Sequence, residues 1–398
     1  MKVGQQMRDS KAKNTDLSTT LLTGLYYFLM IAIGVFALVV LVNFLQGHIR
    51  TDMQASELAL LIAGLAIAFY AAYSIQMPVH ELGHLVFGKL SGYELLVFRI
   101  GNFMWIQKDG EIQFRRVKFA ASGGQCLMEP PATSDGKIPY LLYNLGGIML
   151  NFALALIAVG LALLTSKIEL LSLFFILLAA FGMVFVVMNG VPVISGKRHN
   201  DGYNIYTIAK VEGGMHAYET QLRISGQTVK GKRLKEMPAA WFELPSQKAM
   251  NNGLFAGIGI FAYKRMLDLL EIEKADRIMA GLQELDSLTP VQNKFIIVDR
   301  VYCELLGDNR KGILDYWLEK RQSNFMDANK TEVAIIRTIF TYELLQKKNV
   351  NLANNFKKVF DQVTETYPFP QELEMERELM ALAEKKAKEN EQAKLPSL

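Results

Sequence analysis

Apolar residues are gathered into long runs in the first half of this chain and scattered at helical spacing in the second. Leu21–Leu45 carries no charged residue, and Leu58–Val79 contains no Lys, Arg, Asp or Glu. About 20 apolar residues span the hydrocarbon core, so each run predicts a membrane helix. Leu141–Thr165 and Leu170–Met188 predict two more. Only a few residues around Lys167 and Glu169 separate those two, which requires a tight hairpin. The first run is too long for the apolar region of a signal peptide, and no small-residue cleavage site follows it. It reads as a retained helix.

The texture changes between the second and third runs. Leu95–Ile106 and Glu111–Phe119 are β-prone and flank Lys108-Asp109-Gly110. Asp-Gly between two such runs is a hairpin signal. Gly123-Gly124 predicts a turn or a close backbone approach. From about Tyr203 onward, helical periodicity marks Phe261–Leu285, Lys294–Leu306, Lys311–Lys320, Glu332–Gln346, Asn354–Thr366 and Gln371–Lys388. Short helices with polar joints suggest a repeat-like array, although no fixed period emerges. The fold class expected is therefore mainly α. It is a polytopic membrane protein with four transmembrane helices, a small β-hairpin insertion and an α-helical, repeat-like soluble C-terminal domain.

Charge sharpens the division. Residues 1–202 hold 15 Lys+Arg and 12 Asp+Glu, and residues 203–398 hold 28 and 27. The net charge of +4 is small and spread out, which gives no basis for a nucleic-acid partner. Two cysteines, Cys126 and Cys303, make no disulfide framework and no metal-binding spacing, and they suit a reducing compartment. The Lys- and Arg-rich segments are the N-terminal tail, 91–138 and Lys197-Arg198, whereas 46–57 and 166–169 are poor in positive charge. Four spans with both termini in the cytoplasm satisfy all of these together, in a bacterial cell membrane.

The chemistry sits where the second run ends, at His80-Glu81-Leu82-Gly83-His84. HExxH sets two imidazoles one helical turn apart on one face, where both can bind a single zinc ion. The Glu between them can reach a metal-bound water and take its proton. Ionisable residues inside a spanning segment are costly and functional by default. The chain has five His in all (His48, His80, His84, His199 and His216), so this is not a His-rich background. A catalytic zinc takes a third protein ligand. On spacing alone it could be His199, Asp201 or an acidic residue of the second half.

Asn189-Gly190-Val191-Pro192, which ends the fourth run, and Asn200-Asp201-Gly202 after it complete a pattern. HExxH followed by NxxP…DG resembles the site-2 protease family, peptidase family M50, of intramembrane metalloproteases. Gly146-Gly147-Ile148-Met149-Leu150-Asn151 is similar to that family's Gly-rich stretch followed by Asn. The resemblance covers roughly residues 58–205. It implies one Zn2+ per chain held by His80, His84 and Asp201, with Glu81 as the catalytic base. It also implies a substrate that is a membrane-embedded or membrane-anchored protein or peptide. Asn151 and Asn189 are candidates to bind substrate backbone, or to hold the helices together. The run from Asn189 to Asp201 is longer than the family's, with Ser195–His199 looking inserted. On this reading residues 1–20 are a cytoplasmic tail, 21–202 a membrane metalloprotease domain and 203–398 a helical domain. The helices are expected at about 21–45, 58–90, 141–165 and 170–188, and the hairpin at 95–119. The lipid bilayer surrounds the first domain, and the helical domain could take a protein partner. A non-catalytic receptor or scaffold, and a metal transporter, are rival readings. The intact Glu81 disfavours the first. A three-ligand catalytic set, as opposed to a chain of exchange sites, disfavours the second.

Overall fold

The computed structural model describes residues 2–108, 110–117, 123–132, 137–195, 198–365 and 367–393, with backbone alone for 2–19, 194–195 and 198–199. The chain is mostly helical and forms two units. One comprises residues 1–100 and 123–212, the other 101–122 and 213–398. Among the described residues, four helices are long and apolar enough to cross a membrane, and all four lie in the first unit.

They are α1 (Lys2–His48, apolar from Thr20), α2 (Ala55–Leu90), α3 (Tyr140–Leu164) and α4 (Glu169–Gly190). Lipid is as apolar as Leu, so burial of apolar area does not hold such helices together. Small residues that let backbones approach do so instead. Ala68 and Ala72 of α2, Ala155 and Ala158 of α3, and Ala179 of α4 form the buried seam, with Val40, Leu41 and Phe44 of α1 against it. The opposite faces stay apolar and exposed, as at Leu60 and Leu163, which is the surface a bilayer would cover. Pro78 lies inside α2, where it removes one helical hydrogen bond two residues before the HExxH motif. The helix continues through it.

The β-prone segment is richer than one hairpin. It contains β1 (Glu94–Ile100), β2 (Phe103–Lys108), β3 (Glu111–Arg116) and β4 (Gly124–Glu129), paired antiparallel within each unit. Leu95–Ile106 reads as one strand in sequence but is cut by Gly101, whose φ of +57° turns the chain. The expected hairpin is β2 on β3, in register from Phe103–Arg116 to Lys108–Glu111. Asp109 and residues 118–122 lie outside the described residues. In the first unit β1 pairs with β4, with a register shift between Leu95 and Val97. The Tyr143 hydroxyl of α3 donates to Cys126 O of β4 at 2.6 Å and ties that strand to the membrane helices. After α4 come β5 (Ile194–Ser195), β6 (Arg198–His199) and α5 (Asp201–Lys210).

The second unit carries α6 (Gly214–Val229), α7 (Gly253–Asp268), α8 (Ile272–Gln283), α9 (Pro290–Leu306), α10 (Lys311–Trp317) and α11 (Lys320–Ala328). It continues with α12 (Val333–Thr341), α13 (Val350–Thr364) and α14 (Pro370–Gln392). The apolar run Phe261–Leu285 is two helices, because Leu270 takes φ +61° between α7 and α8. The core gathers Val301, Leu305, Ile336, Phe340, Phe360 and Leu373 from α9 and α12–α14. Beside it Arg337 is wholly buried, bonded to Asp299, 3.4 Å from Glu376 and stacked over Tyr302 at 4.3 Å.

Burial pushes the Glu376 carboxyl up to about 7; Arg337 opposes this, and Asp299 and Glu372 add to it. A carboxyl raised in the folded state binds its proton more tightly there than in the unfolded chain. Its stabilisation is full below about pH 4.5 and is lost as pH rises toward 7. Glu376→Gln should abolish that slope, by on the order of 3 kcal/mol between pH 4.5 and 8. Trp105, Trp241 and Trp317 all lie in the second unit, so thermal melts followed by tryptophan fluorescence read this unit directly.

Candidate metal centre

The 3.6-residue period of α2 puts His80 and His84 on one face, with ring centroids 4.7 Å apart and Nε2 atoms 3.2 Å apart. Both side chains are buried. Asp201, the first residue of α5, brings Oδ2 to 3.1 Å from His80 Nε2 and 3.3 Å from His84 Nε2. That oxygen is buried and has no hydrogen-bond partner.

The outer ring nitrogens are already engaged. His84 Nδ1 is 2.7 Å from Tyr143 O, and His80 Nδ1 is 3.0 Å from Asn151 Oδ1. Both acceptors hold a proton on Nδ1 and turn the Nε2 lone pairs toward Asp201. Two imidazole lone pairs and a carboxylate oxygen, converging and otherwise unsatisfied, fit the three-ligand set of a catalytic zinc.

The added residues between Asn189 and Asp201 do not carry the carboxylate away. They are taken up by the small β5–β6 ladder, which pairs Ile194 with His199 and Ser195 with Arg198. Asn200 then clamps the return. Its Nδ2 donates to Met188 O at 2.7 Å and Val191 O at 2.6 Å, and its Oδ1 caps α5 by accepting from Tyr203 N at 2.8 Å. A Cβ on Gly202 would overlap the Gly190 carbonyl, so the two helix ends touch backbone to backbone. The His199 side chain lies outside the described residues. Asn200 stands in the sequence motif beside the ligand with no role that the family pattern assigns. Its position before Asp201 in an N-cap pattern is the signal that could have supplied one.

Gly83 and Gly146 likewise bring α2 and α3 into backbone contact at the motif. A Cβ on Gly147 would strike the His80 ring, and one on Gly124 would strike the Glu81 carboxylate. Gly147 and Gly124 are therefore the spaces in which the His80 and Glu81 side chains stand. Glu81 has His80, His84, Asp201 and Arg99 as its titratable neighbours. The two glycines predict separable defects. Gly147→Ala should weaken zinc binding, roughly 10–100-fold if the ring only tilts. Gly124→Ala should keep zinc and lower turnover. Metal titration and peptide cleavage on the two purified variants check this.

Asn151 is fully buried and places its amide nitrogen on Gln76. Asn189 is half-buried and donates to Phe185 O of its own helix at 3.0 Å. The sequence profile of Peptidase family M50 matches residues 68–372, most of the chain. No curated protein and no solved structure gives a match.

Proposed function

Because the chain belongs to peptidase family M50, the site-2 protease family of zinc metalloproteases, we propose that it hydrolyses peptide bonds of membrane-embedded or membrane-anchored substrates. His80, His84 and Asp201 are the proposed zinc ligands and Glu81 the catalytic base. The observation that carries this reading is the meeting of three ligand atoms from α2 and α5 around an otherwise unpartnered Asp201 oxygen. Zinc bound there supplies Lewis-acid chemistry, acidifying a water and polarising a carbonyl.

The chain's own groups supply the rest. Glu81 takes the proton of the attacking water and delivers it to the leaving amine. Asn151 and the Tyr143 carbonyl keep the two imidazoles in the metal-binding tautomer. A helical substrate hides its carbonyls in its own hydrogen bonds and must unwind before attack. β4 is an edge strand whose first residue, Gly124, lies against Glu81. An extended substrate paired along it would hold its carbonyls beside the water that Glu81 activates. Asn189 is a second candidate for bonding substrate backbone, whereas the buried Asn151 serves His80.

We assign residues 21–202 to the catalytic membrane domain and 203–398 to a helical domain that binds a protein partner or regulates access. Both termini face the cytoplasm, since the Lys- and Arg-rich connections then share one side. Native Cys126 and Cys303 are buried, so single introduced cysteines report cleanly. In intact cells an impermeant thiol reagent should label Lys167→Cys and spare Gly110→Cys; the reverse pattern inverts the topology. The activity itself is tested by cataloguing membrane peptides in cells that carry Glu81→Gln in place of the wild type. Peptides with an apolar segment should accumulate. Identical catalogues would count against proteolysis.

A further inference from the structure

The polar groups behind His80 form a chain whose direction is dictated at its far end. Gln76 lies one helical turn before His80 and, like Asn151, is fully buried. Its Nε2 donates to two backbone carbonyls, Ala72 O at 3.2 Å and Leu178 O of α4 at 2.9 Å. A carbonyl oxygen can only accept, so the amide nitrogen must face these two and Oε1 must face away. Oε1 and the Gln76 carbonyl both meet Asn151 Nδ2, at 2.9 and 3.1 Å. Asn151 is thereby obliged to turn Oδ1 toward His80 Nδ1, 3.0 Å away. An acceptor in that position requires a proton on Nδ1, which leaves the Nε2 lone pair facing Asp201.

We propose that Gln76 is a positioning residue of the metal centre. Acting through Asn151, it relays the polarity of two backbone carbonyls to His80 and so fixes that ligand's tautomer and ring orientation. His84 needs no relay, because the Tyr143 carbonyl bonds its Nδ1 directly. The relay is fully satisfied and sits where no bulk water can replace a missing link. It also joins α2, α3 and α4, so the ligand's orientation depends on the packing of all three.

The inference rests on the zinc-site reading above, and the experiment separates the two. Zinc affinity of the full-length protein in detergent is measured by chelator competition for wild type, His80→Ala, Gln76→Leu and the double variant Gln76→Leu/Asn151→Asp. Gln76→Leu is expected to bind zinc about 10–100-fold more weakly, the usual loss when an outer hydrogen-bond partner of a ligating histidine is removed. The double variant is expected to recover that loss, because a neutral carboxyl at this position has a single O–H, which the main-chain carbonyl of residue 76 can take, and its other oxygen accepts from Nδ1 with no donor left unpaired. A residue that only glued helices would lower thermal stability, leave affinity unchanged and gain nothing from Asn151→Asp. Unchanged affinity in Gln76→Leu, or a loss that Asn151→Asp does not restore, overturns the inference. Gln76→Met is read the same way if Gln76→Leu does not accumulate. Absence of zinc binding by the wild type, or undiminished binding by His80→Ala, would instead overturn the metal site itself.

Discussion

Glu81→Gln is expected to keep one zinc per chain and to lose about 10²–10⁴-fold in the rate of peptide hydrolysis, the range by which a positioned proton-transfer group accelerates such reactions. The amide is isosteric with the carboxylate and fills the same space beside Gly124. It cannot accept the proton of the attacking water or pass one to the leaving amine. The metal ligands are untouched, since His80, His84 and Asp201 take their orientation from Asn151, the Tyr143 carbonyl and the α5 cap. Zinc content and cleavage measured on one preparation separate these effects. A variant that loses metal as well would make Glu81 a structural member of the site, and one that retains turnover would remove it from the mechanism.

Asp201→Ala should cost more zinc affinity than any change in the surrounding hydrogen bonds, beyond the roughly 100-fold ceiling for such groups. It removes the anionic member of the set and leaves two imidazoles in a buried pocket. His199→Ala should change affinity little, because the Asn200 clamp and the α5 cap place the neighbouring carboxylate, not the loop, between the two Nε2 atoms. Metal titration of the two variants decides the assignment. Retained zinc in Asp201→Ala with loss in His199→Ala would reverse it.

The parts of this molecule legible in sequence are those written in a local period. The four membrane helices follow from length and the absence of charge, and HExxH names its own geometry because both histidines lie on one turn of one helix. Asp201 belongs to another element. No period links it to His84, and only the resemblance to a family pattern singled it out. Gln76 shows the limit from the other side. A polar residue in an apolar run announces a role, but its partners, Leu178 O and Asn151, come from two other helices. Backbone breaks at ordinary residues were equally hidden. Leu270 separates α7 from α8 with a left-handed φ that nothing in the apolar spacing marks, and α11 (KRQSNFMDA) is too polar to show a helical stripe. The added loop lengthens the run from Asn189 to Asp201, yet its backbone pairs with itself as β5 and β6 and leaves the ligand in place.

The central claim is hydrolysis at membrane depth by the His80–His84–Asp201 centre with Glu81 as base. Its most direct test reconstitutes the purified full-length protein in liposomes with a single-span peptide taken from those that accumulate in Glu81→Gln cells. The fragments are then mapped by mass spectrometry. The account predicts new termini within the peptide's apolar segment, cleavage stopped by a zinc chelator and restored by added zinc, and none with Glu81→Gln. Termini confined to the peptide's polar flanks, or the same fragments from Glu81→Gln, would contradict it.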